Sequence, residues 1–587
     1  MNRFTEICLL LHACILLYSG NMNQALMYDH SATTECLVEP QTVQYGGGII
    51  NNPDFNNGIK GWMVFGQGKV EQRKTQRGNM FIAAFDRKHL SDSFSQTVQL
   101  VKGKLYALSA WIQISGGRET VSVVFRTPGG GLLHGGAVIA EHGCWSMLKG
   151  GIVANFTGPA DLLFKIRNTD AEIWADNISL QPFTKKQWRS HQDKIIAKER
   201  KSNVKFHVSY GNKTAISDAR IMIKQTKSAF PLGCEINQNI LNSTAYQNWF
   251  TSRFTVTAFG NEMKWYSTEK IRGQENYTIA DAMVEFVEQN NISIRGHNIF
   301  WDDPKYQPDW VPSLAPEELQ KAAEERIESV VLRYKGKLIA WDVVNENLHF
   351  RFFEDKLGEN ASAAFYASAH QLDQSPLMFM NEYNTIENSE DEAATPAKYV
   401  EKLKNILLYP GNDCLPAGIG LQSRFGPGQP NLPYMRAAMD ILAAMKFPLW
   451  LTEAFVDKGE NQAQYLEEVL REGYSHPAVE GIVIWPTSPF SECKMCLTDK
   501  NFQNTPNGDV VDELIDEWSC KPMEIATSHE GFSEISLFHG DYEVTVTHPD
   551  TKSSTTMNLK VTKDNSENSV YVQMNAFVPH ACYTAII

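Results

Sequence analysis

Two glutamates stand out by where they fall in the chain. Glu346 follows the apolar run Leu338–Val344, in the string Trp341-Asp342-Val343-Val344-Asn345-Glu346-Asn347. Glu453 closes a second apolar run, Phe447-Pro448-Leu449-Trp450-Leu451-Thr452-Glu453. A carboxyl at the end of a buried strand feels desolvation and its neighbours' charges, and both change its pKa. Two carboxyls of opposite state are what glycoside hydrolysis needs: one, protonated, delivers a proton to the leaving oxygen, and the other, ionised, attacks the anomeric carbon. Retaining enzymes hold the pair about 5–5.5 Å apart. The plain alternative for either glutamate is a salt bridge or a helix cap.

The elements that would position this pair follow from the surrounding pattern. From 205 to 520, short apolar runs alternate with helical stretches. One helix is expected from Glu318 to Tyr334, ending at Gly336, and another from Asn461 to Glu472, ending at Gly473. Gly481-Ile482-Val483-Ile484-Trp485 follows the second as a buried-strand pattern. Repeated alternation over this length predicts a parallel (β/α)8 TIM barrel. Catalytic groups of such barrels sit at the C-terminal ends of strands. The two glutamates lie about three strand–helix units apart, at roughly 40 residues per unit, which predicts strands 4 and 7 facing each other across the mouth. Residues 45–185 instead read as period-two segments, among them Ser93–Leu100, Leu105–Ile114 and Glu172–Leu180, separated by turn clusters such as Asn56-Asn57-Gly58 and Gly116-Gly117. That pattern predicts a β-sandwich, or jelly roll. A basic stretch at 186–204 reads as a linker or short helix whose charge solvates an exposed face. Residues 521–587 read as a short β-rich C-terminal extension that packs on the barrel. The fold class is therefore multidomain.

Composition restricts partners and compartment. The chain has 587 residues, 43% hydrophobic and 21% charged, which excludes a mostly disordered chain, a collagen and a coiled coil. Its net charge of -14 disfavours nucleic acid and anionic membrane surfaces and fits a neutral partner. The apolar run Ile7–Tyr18, preceded by Arg3, is too short to span a bilayer and fits the core of a signal peptide over 1–25. Sequons at Asn155, Asn177, Asn212, Asn242, Asn276, Asn291 and Asn360 agree with a secreted glycoprotein. Of the cysteines beyond residue 25, some are expected to pair, and Cys493-x-x-Cys496 reads as a local disulfide or two thiols rather than a metal site. No metal cluster or nucleotide motif suggests a cofactor.

The local strings add a resemblance. In order, the chain carries Gly260-Asn261-Glu262-Met263-Lys264-Trp265, Arg295-Gly296-His297-Asn298-Ile299-Phe300-Trp301, Trp341–Glu346, Met380-Asn381-Glu382-Tyr383-Asn384, Gly420-Leu421-Gln422-Ser423, Leu451-Thr452-Glu453 and Gly481–Trp485. Over 205–520 it resembles the glycoside hydrolase family 10 xylanases, most closely their plant members. The sandwich is similar to a family 22 carbohydrate-binding module, through Asn52-Pro53-Asp54-Phe55, Gly61-Trp62 and the Trp111 and Trp174 strands. No ligand residue is assigned in it, because Trp62, Trp111, Trp145 and Trp174 all read as core.

The resemblance implies roles residue by residue. Glu346 would be the general acid/base and Glu453 the nucleophile. Asn345 would hydrogen-bond the sugar 2-hydroxyl, a contact that strengthens in the transition state. Lys264, Asn261, His297 and Gln422 would bind glycone-side sugars, Trp301 and Trp485 would wall the catalytic subsite, and Tyr383 would be a subsite aromatic. Three positions depart from the common pattern. Gly260 stands where many members have a Glu that binds a more distant sugar. Arg424 stands where the family has a His that hydrogen-bonds the nucleophile, and Phe455 where it has the Asp that helps hold that His. Arg424 is expected to favour the ionised form of Glu453 or to clamp it in a bidentate pair, with a position left open because Phe455 cannot anchor it. The implied activity is a secreted, retaining endo-1,4-β-xylanase acting on cell-wall xylan without metal or cofactor. Its rivals are a xylan-binding wall protein on a catalytically impaired barrel, and a transglycosylase or other β-glycanase. Preferred decoration, disulfide connectivity and oligomeric state do not follow from the sequence.

Overall fold

A computed structural model describes residues 26–563 and 568–574. Residues 1–25, where a signal peptide is expected, and Cys582 lie outside the described residues. Eight strands form a closed ring: β1 Leu232–Cys234, β2 Val256–Ala258, β3 Ser293–Trp301, β4 Ala340–Asn345, β5 Leu377–Glu382, β6 Ala417–Leu421, β7 Leu449–Val456 and β8 Val479–Ile484. All neighbours pair in parallel, and β1 closes on β8. A two-residue strand, Arg424–Phe425, pairs with the upper end of β7. The expected barrel is present, with Glu346 after strand 4 and Glu453 on strand 7. β4 and β7 are buried throughout, as strands covered on both faces must be. Gly296, Gly418 and Gly481 leave room for the rings of Trp341, Phe379 and Trp450, each of which a Cβ would meet at 2.5 Å or less. Arg295 lies within this layer, its guanidinium 4.1 Å from the Phe379 ring centre and 2.7 Å from the Asp342 carboxylate.

The N-terminal sandwich has two five-stranded antiparallel sheets enclosing Phe55, Trp62, Phe94, Ile112, Leu162 and Ile178. Trp111 and Trp145 are buried in a second layer with Phe81 and Met147. The N-terminal segment covers that layer: Leu37 pairs with Trp145, and a disulfide joins Cys36 to Cys144. Trp174 is only half-buried, its indole donating to Glu172 at 2.7 Å. A second disulfide joins Cys493 to Cys496.

Residues 186–204 are not a linker. Thr184 caps helix α1, Lys185–Glu199, in a capping box with Gln187. Trp188 and Gln192 of α1 donate to the buried Glu472, which also pairs with Arg436. Arg436 lies on α2, Leu432–Ala443, and Glu472 on α3, Gln462–Ser475, both barrel helices. The apolar and amide side chains of one face outweigh a composition that suggested a solvated segment. The sandwich itself docks through its strand Ser146–Val153 onto α2. Asp440 of α2 accepts from Lys149 at 2.7 Å and from Tyr28 at 2.8 Å and meets His30 and His476. Burial works to raise the Asp440 pKa, but Lys149 and the two histidines outweigh it and hold the carboxyl well below its usual range.

The barrel also starts later than residue 205. Strands 201–210 and 220–228 pair with C-terminal strands between 523 and 574, making a second, smaller sandwich of a three-stranded and a four-stranded sheet. Phe206, Ile221, Ile223, Val544 and Val546 fill it. Its two halves flank the barrel in sequence, so local periodicity could show the strands but not their pairing.

A Cβ at Gly151 would lie 2.4 Å from Pro433 Cβ of α2 and 2.5 Å from Tyr106 O. Gly151→Val therefore destabilises the junction by about 1–3 kcal/mol, seen in calorimetry as a lowered, split melting transition. An unchanged single transition would contradict this docking.

Candidate active site

Seven of the eight strands bring a sequence-identified or newly found side chain to one mouth, and the eighth, β1, brings Glu235 directly after Cys234. At the centre, two residues on adjacent strands hold the two glutamates by opposite ends. The Asn381 carbonyl accepts the Glu346 backbone N–H at 2.9 Å, while its side-chain amide donates to Glu453 Oε1 at 3.0 Å. The Gln422 carbonyl accepts the Glu453 backbone N–H at 3.1 Å, while its side-chain amide donates to Glu346 Oε1 at 3.0 Å. Asn381 belongs to the string Met380–Asn384, which implied no role for it. Its second amide hydrogen goes to Asn345 Oδ1 at 2.9 Å, and its own oxygen accepts from Thr452. With its oxygen so occupied, Asn345 presents its NH2 as the free group, the donor that a sugar hydroxyl requires.

Glu346 sits at φ 61, a conformation that costs a non-glycine residue of order 1–3 kcal/mol. Its backbone bond to Asn381 and the Phe350 N–H on its own carbonyl hold it there. The Trp301 indole donates to Oε2 at 2.8 Å. Burial pushes the Glu346 pKa up to about 7; the bonds from Gln422 and Trp301 pull it down, and the nearby Glu453 and Glu382 carboxylates add to the rise. It can therefore carry a proton near neutral pH.

Glu453 has different company. Arg424 Nη1 donates to Oε2 at 2.9 Å, and His297 Nε2 lies 3.9 Å from Oε1. His297 is oriented from below by Asp342, 2.9 Å from Nδ1, which Arg295 in turn holds. The Arg424 contact is a single bond, not the bidentate clamp expected. Phe455 does seat it: the two residues are register partners, and the guanidinium lies 5.1 Å from the ring centre. An aromatic face holds a cation by its quadrupole, so the expectation that Phe455 leaves the arginine unanchored is corrected.

Trp301 stacks on Tyr306 at 3.8 Å and takes the Lys264 ammonium on its ring at 4.4 Å. Burial lowers the Lys264 pKa to about 8 against the pull of Glu453, Glu346 and Glu235. Trp485 meets His297 edge-on at 5.1 Å. Tyr383 stacks on His349 at 3.8 Å. Burial lowers the His349 pKa, but Glu382 and Asp391 outweigh it and raise it to about 9. His349 and Tyr306 carried no motif that singled them out. Asn261 stands exposed at the rim with its oxygen bonded by Tyr266 at 2.6 Å, apart from the central network.

The sequence model of glycosyl hydrolase family 10 matches residues 222–507. Endo-1,4-beta-xylanase 5-like of Arabidopsis thaliana is 45% identical over 566 residues, 94% of this chain and 95% of the relative. The chain belongs to glycosyl hydrolase family 10. A second relative, Endo-1,4-beta-xylanase 5 of the same plant, is 44% identical over 97% of this chain and 98% of its own length. Among solved structures, xylanase 10B from Thermotoga petrophila, in complex with xylobiose, aligns over 49% of this chain and 94% of its own, at 22% identity and a TM-score of 0.44. The family 10 region covers the whole ring of strands, β1 to β8.

The Trp301 bond lowers the Glu346 pKa, so its removal has a fixed sign. Trp301→Phe shifts the Glu346 titration, followed by carboxyl NMR, to higher pH than in the native chain. A downward shift would show that the indole does not stabilise the carboxylate form.

Proposed function

We propose that this family 10 glycoside hydrolase is a secreted, retaining endo-1,4-β-xylanase that cleaves internal linkages of cell-wall xylan by double displacement. One observation carries the reading: two glutamates share a cleft, one with a raised pKa and indole and amide donors, the other with a guanidinium and an amide. Glu346 protonates the leaving oxygen while Glu453 attacks the anomeric carbon, and the Asn345 amide donates to the 2-hydroxyl as charge develops. Glu346, now deprotonated, then takes a proton from the water that releases the sugar from Glu453. Trp301 and Trp485 offer ring faces to the sugar. The N-terminal sandwich serves as a xylan-binding module fixed to the barrel. Secretion is supported by the N-terminal apolar run, the two disulfides and the sequons, of which only Asn177 is not exposed, its amide donating to Gln41 O at 2.7 Å.

A second reading, a xylan-binding protein with impaired turnover, is favoured by the Arg424 contact on the attacking carboxylate. The two readings differ in sign. If the guanidinium orients Glu453, Arg424→Ala lowers kcat about tenfold, the worth of one charge-assisted hydrogen bond. A rise in kcat would mean that Arg424 holds the carboxylate back.

Purified protein is expected to release xylo-oligosaccharides from xylan with the β-anomer formed first, by proton NMR, and Glu453→Ala to fall to background. Equal background release from both would reject hydrolysis. Since Glu346 must hold its proton to act, kcat/KM declines as pH rises through about 7, the value to which its pKa is raised. A profile still climbing at pH 8 would exclude Glu346 as the acid.

A further inference from the structure

The carboxylates of the mouth are committed, with one exception. Glu346 accepts from Trp301 and Gln422, and Glu453 from Asn381 and Arg424. Glu382 accepts from Leu348 N and pairs with His349, and Glu262 accepts from the backbone N–H groups of Gln238 and Asn261. The side chain of Glu235, on a residue only 8% exposed, makes no hydrogen bond and no ion pair among the described residues. The Lys264 ammonium, on a residue 5% exposed, is likewise without a hydrogen bond or ion pair and has only the Trp301 face. Neither polar end is sealed from solvent, so these two groups near the ends of β1 and β2, which do not satisfy each other, are open to a third partner.

The position of Glu235 explains a gap in the sequence. A Cβ on Gly260 would lie 2.2 Å from Glu235 Oε1, so the carboxyl from β1 fills the room above the glycine that follows β2. We propose that Glu235 binds a hydroxyl of the xylose one unit beyond the cleaved sugar on the glycone side, together with Lys264, in the place that Gly260 leaves open. A side chain at position 260 and the Glu235 carboxyl exclude each other, so this chain supplies the subsite's acid from a different strand. Burial and the charges of Glu262 and Glu453 raise the Glu235 pKa to about 8, against the pull of Lys264. A neutral carboxyl both donates and accepts, which matches a sugar hydroxyl better than a carboxylate does.

This subsite rests on the xylanase reading, and the test separates the two. Aryl β-xyloside fills only the cleaved sugar's position, whereas aryl β-xylobioside also fills the next. For Glu235→Ala, the ratio of kcat/KM on xylobioside to that on xyloside falls about tenfold, and Glu235→Gln, which keeps the shape and neutral polarity, recovers at least half of the lost ratio. An equal loss on both substrates would reveal a structural role and overturn the proposal, as would a ratio within twofold of native. Calorimetry with xylotriose in the Glu453→Ala background decides the matter even if the native chain turns over neither substrate. There Glu235→Ala weakens Kd about tenfold, and an unchanged Kd, or no binding by the parent, would overturn the subsite.

Discussion

The site depends on a crossed tie. Asn381 holds the backbone of Glu346 and the side chain of Glu453, and Gln422 holds the backbone of Glu453 and the side chain of Glu346. Neither glutamate can shift without straining the residue that positions the other. Parallel pairing of β5 with β6 makes this possible: it sets Asn381 against Gly420, so that Gln422 stands two residues further on, just past the end of the neighbouring strand. The barrel interior supports that level: Arg295, between the Phe379 and Trp450 rings, fixes Asp342, and Asp342 fixes His297 beneath Glu453. Rigidity in the ring of strands thus becomes a fixed distance relation between two carboxyls.

Position alone would leave two carboxyls in the same state, and the surroundings make them differ. Glu346 is buried among neutral donors, with Glu453 and Glu382 as its charged neighbours. Glu453 faces a guanidinium and a histidine ring. Arg424 and Phe455 belong together in this view. Their backbones are register partners, and the ring supplies the seat that a carboxylate would give a histidine. An aspartate at 455 would compete with Glu453 for the guanidinium, whereas a ring face steadies the cation and leaves its hydrogens for the glutamate. Two departures that look damaging one at a time are coherent as a pair.

Much of this was legible in the sequence, for physical reasons. Apolar strand runs ending in Glu346 and Glu453, at a spacing of about three units, placed both on opposite sides of a barrel mouth, whereas the roles of Asn345, Gln422 and Trp485 came only from the motifs shared with the family 10 enzymes. Glu235 and His349 were not legible. Neither ends a long apolar run, and what sets each apart is a relation to a distant residue, Gly260 for one and Glu382 with Asp391 for the other. Helix α1 was expected as a linker or short helix with a solvated face because its composition is basic; the helix is there, but Trp188, Gln192 and Ile196 bury one face against the barrel. The small C-terminal sandwich was half-seen: its strands show in local alternation, but register between segments some 300 residues apart is fixed only by tertiary packing.

The central claim is that Glu453, oriented by Asn381 and Arg424, forms the bond to sugar while Glu346 serves as its acid and base. A 2-deoxy-2-fluoro-β-xylobioside with a good leaving group forms the covalent intermediate and slows its release. Peptide mass spectrometry of the treated protein is expected to find one fluoro-xylobiosyl group, on Glu453. No adduct under conditions where the xylobioside is turned over, or an adduct on Glu346 or Glu235, would contradict the account.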